Sequence, residues 1–348
     1  MDSSASSDIQ FARRGAAGIV TLDRPAALNA ITHDMVRALR RQLDAWAHDG
    51  AVTRVVATAA GGRAFSAGGD IRALYDLGQA GRHAEALTFF REEYMLNAAI
   101  KRYRKPYISL IDGIVMGGGF GISVHGSHRV AGDRFQFAMP EVGIGFFPDV
   151  GATWVLPRLP GEIGTRCALT GERMKTADGV GAGIATHHVR SERFPDLLDA
   201  LCGNVSVDAL LAAFAEPVSE GTVMARRGTI DTLFAGDRVE NILAALDVAG
   251  DDWARATAAT IRKKSPTSLK LALAQVRRGA DWSFEDCMRA EFRIVSRIVH
   301  GHDFYEGVRA AIVEKDNAPQ WRPASLAEVD AADVERHFAP LANELRLS

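Results

Sequence analysis

Gly117-Gly118-Gly119, with Met116 before it and Phe120-Gly121 after it, is the segment that most narrows what this chain can fold into. The strand-like run Tyr107-Ile108-Ser109-Leu110-Ile111 precedes it, and the glycines open the next helical stretch. A second pair, Gly68-Gly69, follows the largely β-branched stretch from Val52 to Ala59 in the same manner, within Ala64-Phe65-Ser66-Ala67-Gly68-Gly69-Asp70. Glycine lets main-chain N–H groups approach a ligand with no Cβ in the way. One such cluster is most simply a turn that needs positive φ. Two, each closing a strand and opening a helix, point to backbone donors that converge where charge develops.

The rest of the chain fits that reading. Gly18 to Leu22 reads as a strand that stops at Asp23-Arg24-Pro25, because proline cannot continue a ladder. Thr32 is placed to cap a helix carrying Met35, Leu39, Leu43 and Trp46 at helical spacing. A longer helix spans about His83 to Arg102, and short strands follow at Arg129 to Ala131 and Phe135 to Ala138. Strand–helix alternation with short connections predicts an α/β fold with a mainly parallel sheet. Beyond Glu162 the pattern becomes helical. The expected organisation is a disordered tail over 1–10, an α/β core over 11–213 and a C-terminal helical region over 222–348.

Charge argues against two partner classes. With a formal net charge of -2, no overall field favours nucleic acid or an anionic membrane, and no apolar run is long enough to span a bilayer. The opening MDSSASSDIQ lacks the basic and apolar regions of a secretory signal, and the three cysteines, Cys167, Cys202 and Cys287, fit reduced thiols. A cytoplasmic location is the resulting expectation. No metal-ligand spacing occurs: His125 and His128 share a helical interval without a third ligand. No G-x-G-x-x-G register supports a dinucleotide, and no G-x-S-x-G elbow supports a serine hydrolase.

Two acids stand out. Glu141 follows Ala138-Met139-Pro140, and Asp149 follows Ile144-Gly145-Phe146-Phe147-Pro148. An average acidic residue belongs on the surface. Apolar surroundings instead raise a carboxyl pKa and ready the group for proton transfer. Glu92 and Glu93 are adjacent on a helix and point apart, so one of them can face inward. Phe304, Arg309 and Lys315 in the last helical region read as core and surface residues, with the cations also suited to a phosphate.

Taken together, Arg24-Pro25 with Leu28-Asn29-Ala30, AFSAGGDI, MGGGFGISVHG and FAMPEVGIGFFPDVG resemble the crotonase (enoyl-CoA hydratase/isomerase) superfamily. Within it, FFREEYMLN, GFFPDVGATWVLPRL, SPTSLKLAL and HDFYEGVRAAIVEKDNAPQW resemble the 3-hydroxyisobutyryl-CoA hydrolase branch. The resemblance implies a spiral of ββα units with a C-terminal helical region. It also implies an acyl-CoA thioester as substrate, with coenzyme A part of that substrate and no separate cofactor, and a place in valine catabolism. By the same resemblance Gly69 and Gly118 supply the oxyanion hole, Glu141 is the catalytic glutamate, Asp149 the second acid and Glu93 a substrate contact. Leu28, Ala30, Gly68, Asp70, Gly117, Phe147, Phe304 and Lys315 match substrate-contacting positions, and a homo-oligomer is a common assembly in the superfamily. Gly121 stands where hydratases carry a glutamate, which argues for hydrolysis over hydration. Hydration or isomerisation, and acyl-CoA binding without turnover, remain the competing readings.

Overall fold

The computed structural model describes residues 8–347, and contact density divides them into two units. The first comprises 8–69, 95–137 and 174–225; the second comprises 70–94, 138–173 and 226–347. The expected tail over 1–10 lies outside the described residues up to position 7, while Ile9 and Gln10 already belong to a strand.

Ten strands lie in the first unit, save that the last residue of one falls past its edge. They are β1 (Ile9–Arg14), β2 (Ala17–Leu22), β3 (Arg54–Ala59), β4 (Ala64–Ser66), β5 (Tyr107–Ile111), β6 (Ile114–Met116), β7 (His128–Ala131), β8 (Gln136–Ala138), β9 (Met174–Lys175) and β10 (His187–His188). One sheet has the order β1-β2-β3-β5-β7-β10, the other β4-β6-β8-β9. Only the β1–β2 pair of the larger sheet is antiparallel; the others run parallel, with Val56 opposite Ile108 and Leu110 opposite Val130. The mainly parallel sheet expected from the alternating pattern is therefore present.

Alternation along the strands sorts side chains to two faces. Ala17, Ile19, Val56, Ile108, Leu110 and Val130 form one apolar face, covered by Leu197, Leu201, Val207 and Leu211 from the helices Phe194–Leu201 and Val207–Phe214. Thr32 caps the helix His33–His48 as its sequence predicts, accepting from the Met35 N–H at 3.2 Å. No disulfide joins Cys167, Cys202 and Cys287 among the described residues. No helix among them is long and apolar enough to cross a membrane.

The second unit is helical. Its helices include Ile71–Gln79, Ile163–Thr170, Pro266–Gly279, Phe284–Ile298 and Asp303–Val308, together with residues 83–94 of the helix His83–Lys101. An aromatic core runs through it: Phe146 stacks on Phe90 at 5.5 Å between centroids and meets Phe147 at 4.8 Å and Phe304 at 5.4 Å.

Candidate active site

In the first unit the two glycine clusters come together because their strands are neighbours. β4 and β6 pair in parallel, Ala64 opposite Ile114 and Ser66 opposite Val115, so both chains leave the sheet at the same end. Gly119 then lies against Ser66. A Cβ at position 119 would sit 2.6 Å from both the Ser66 Cβ and its carbonyl oxygen, closer than any side chain tolerates. Gly68 approaches the other run, since a Cβ built on it would stand 3.5 Å from the Met116 carbonyl oxygen and 3.8 Å from the Gly118 nitrogen. Gly118 is the second residue of the helix Gly117–Val124, and an N–H at that position has no acceptor within its helix.

The segment around Leu28 fastens this junction. Ala67 N–H donates to the Leu28 carbonyl at 3.0 Å, Ile31 N–H donates to the Gly68 carbonyl at 2.8 Å, and Ile31 bridges Gly69. Leu28 and Asn29 both have left-handed backbones, which bends the chain back on itself. The buried Asn29 side chain holds the bend, accepting from Arg24 N–H at 2.8 Å and donating to the carbonyls of Ala60 and Ala64 at 3.0 Å each. Leu28 and Ala30 are thus placed beside the Gly68-Gly69 loop.

Five carboxyls are buried in the second unit: Asp303, which accepts from the Ser265 hydroxyl at 2.6 Å, and Glu93, Glu141, Asp149 and Glu291. Pro140 leads into a short 3-10 turn, Glu141–Ile144, which sets Glu141 at its first position. Glu141 is only 7 % exposed, and its Oε2 has no hydrogen-bond partner. Burial, and then the charge of Asp149, push its carboxyl well above the ordinary range. Asp149 is pushed up to about 7 by burial, against the opposing effect of the Tyr94 hydroxyl, which donates to its Oδ2 at 2.7 Å. Glu93 is raised well above its usual value by burial and by the charges of Asp149 and Glu291. Its Oε1 is likewise buried without a partner. Glu291, raised to about 8 by burial and then Asp149, accepts from the N–H groups of Gly151 and Thr153.

Acids whose proton affinity lies near or above neutrality suit proton transfer or nucleophilic attack. Of the adjacent pair, Glu93 is the one turned inward, and Glu92 is half-buried. Asp70 caps the helix Ile71–Gln79 by accepting from Ala73 N–H at 3.1 Å. Phe147 and Phe304 are buried in the aromatic core, whereas Lys315 is exposed. Arg309 is held by Glu306, Glu314 and Asp316.

Two residues grouped around Asp149 were not singled out from sequence, Tyr94 and Glu291. A signal for Glu291 exists. It lies four residues after Cys287 and four before Val295, on the apolar stripe of its helix, where a charged residue is out of pattern. Among the described residues no group of three or more His, Cys, Asp or Glu side chains is arranged to hold a metal ion.

Residues 17–338 match the model of a family described as enoyl-CoA hydratase/isomerase. The chain is 45% identical to a protein named 3-hydroxyisobutyryl-CoA hydrolase, mitochondrial, from Danio rerio, over 98% of this chain and 92% of the relative. The protein of the same name from Homo sapiens is 40% identical, over 97% of this chain and 90% of its own length. Among solved structures, one titled as a carnitinyl-CoA dehydratase from Mycobacterium thermoresistibile superposes with a TM-score of 0.94 at 44% identity, covering 98% of this chain and 99% of that one. Another, titled as an enoyl-CoA hydratase from Rhodobacter sphaeroides 2.4.1, gives 0.92 at 39% identity, covering 98% and 100%.

Proposed function

The chain belongs to the enoyl-CoA hydratase/isomerase family and has its crotonase fold, and from that premise we propose that it hydrolyses a short-chain 3-hydroxyacyl-CoA thioester, 3-hydroxyisobutyryl-CoA being the first substrate to try. The observation that carries the reading is the pair of buried acids Glu141 and Asp149, of which Glu141 keeps a bare carboxyl oxygen. A buried, unpartnered acceptor is unfavourable unless a reacting group meets it.

The Gly69 and Gly118 N–H groups would receive the thioester oxygen as it gains negative charge, the step at which fixed donors matter most. Glu141 would either attack the carbonyl carbon, giving an anhydride that water then opens, or take a proton from the attacking water. A carboxyl held above its ordinary range is the stronger base once it ionises. In either route a carbon–oxygen bond forms, the carbon–sulfur bond breaks, and Asp149 would pass a proton to the departing thiolate or orient the substrate hydroxyl. The balance closes with water alone. Glu93 would contact the acyl group, and the Leu28–Ala30 segment would run along the coenzyme A moiety.

The titles of the two solved structures name dehydration and hydration, which makes an enoyl-CoA hydratase the second reading. Gly121 weighs against it. Syn addition of water to a double bond is usually shared between two carboxylates, and in the resemblance the second one stands at that position. A screen of thiol release across short 3-hydroxyacyl-CoA esters, run beside hydration of crotonyl-CoA, separates the readings. Release of free thiol with little hydration is the expected result. Rapid hydration without thiol release would reverse the assignment, and inertness toward every ester would leave only binding. Cytosolic placement and self-association belong to this proposal too, and cell fractionation and sedimentation test them.

A further inference from the structure

Asp149 is the acid on which the leaving-group step of that proposal turns, and the main chain just after it is strained. Val150 has φ 54° and Gly151 φ 89°, two successive residues in the left-handed region. For a β-branched residue that conformation is unfavourable and persists only where neighbours over-determine it. The neighbours are specific. Glu291, fully buried on the helix Phe284–Ile298, accepts from Gly151 N–H through Oε2 at 2.8 Å and from Thr153 N–H through Oε1 at 2.9 Å. Tyr94 holds the Asp149 carboxyl itself at 2.7 Å, and the buried Gln275 amide donates to the Pro148 carbonyl just before it. No ion pair reaches Glu291 among the described residues, so its burial is not compensated by a cation.

We propose that Glu291 is a positioning residue for hydrolysis, locking the left-handed turn at Val150 and Gly151 so that the Asp149 carboxyl is presented to the reacting groups. The proposal rests on the hydrolase reading. A carboxyl keeps acceptor capacity on both oxygens and can take one N–H on each; an amide of the same size has a single acceptor and must set its NH2 against the other N–H. Glu291 is thereby matched to the turn.

The experiment is a double-mutant cycle on thiol release with Glu291→Gln, Asp149→Asn and the two combined. Setting an amide NH2 against a buried N–H predicts that Glu291→Gln lowers kcat roughly 10- to 100-fold with KM moved by less than about threefold. If Glu291 acts through Asp149, the same change made in the Asp149→Asn protein lowers kcat by less than about twofold further. An equal loss in both backgrounds, or no loss in either, overturns the proposal.

Gly151→Ala strains the same turn from the main chain and leaves Glu291 in place. It is expected to reproduce the kcat-limited loss, and it decides the matter if Glu291→Gln does not fold. Wild-type kcat in folded Gly151→Ala overturns the proposal. A wild-type protein that releases no thiol fails the hydrolase reading instead. The positioning claim is then settled by a crystal structure of Glu291→Gln, supported if Val150 leaves the left-handed region and overturned if the turn is unchanged.

Discussion

Glu141 differs from a structural acid in one atom, its Oε2, which is buried yet accepts no hydrogen bond. A glutamate kept for stability would be expected to spend both oxygens on donors, as Glu291 does. Glu141→Gln keeps the volume and removes the base or nucleophile. It is expected to lower kcat for thiol release by about 10²- to 10⁴-fold while circular dichroism and the unfolding temperature stay near wild type. Because the buried carboxyl is held above its ordinary range, its neutral replacement is not expected to destabilise the fold by much. A folded Glu141→Gln protein that retains more than about a tenth of the wild-type rate removes Glu141 from the chemistry.

At the level of elements, the decisive device is the parallel pairing of β4 with β6, which brings two glycine runs to one end of a sheet. Gly119 carries the close approach. Gly119→Ala would drive a methyl group into Ser66, and overpacking of that kind typically destabilises by about 1–3 kcal/mol. The expected outcome is a lower unfolding temperature together with a loss of activity, and an unaltered melting curve contradicts the close packing. These junctions were legible because the chain changes period there, from β-branched strand residues to glycine and then to helix. Glu141 and Asp149 were legible for a different reason, their apolar, proline-flanked surroundings. The role of Glu291 was hidden because its partners, Gly151 and Thr153, lie 140 and 138 residues away, a pairing that no local pattern encodes. The two-residue strands β9 and β10 were equally unreadable, since segments so short become strands only through a neighbour already in place.

Across the whole molecule, the buried carboxyls make stability depend on pH in a direction opposite to ordinary acid denaturation. Each of Glu93, Glu141, Asp149 and Glu291 has its pKa raised on folding, so the folded state binds more protons than the unfolded one above the ordinary carboxyl range. Their contribution is complete below about 4 and is lost as pH climbs through the folded values, about 7 for Asp149 and about 8 for Glu291. Histidines pull the other way. His337, lowered from 6.5 to about 4 by burial and then by Arg297 and Arg336, adds stability that is fully present only above 6.5. His187 and His300 are also lowered, so their gains likewise taper off above that value. Above 6.5 the carboxyls are therefore left to set the slope, because the buried thiol of Cys287 is pushed up to about 12 from 9.0 and responds only at higher pH. The unfolding temperature is expected to fall steadily from pH 6.5 to 8, with each titrating group contributing at most about 1.4 kcal/mol per pH unit. Glu291→Gln removes one titrating group and the charge it sets against Glu93, so its slope should be shallower whatever its absolute stability. Thermal melts of both proteins at matched ionic strength test this. A wild-type melting temperature that is flat or rising across the window, or identical slopes for the two proteins, would show that the carboxyls do not hold their protons on folding.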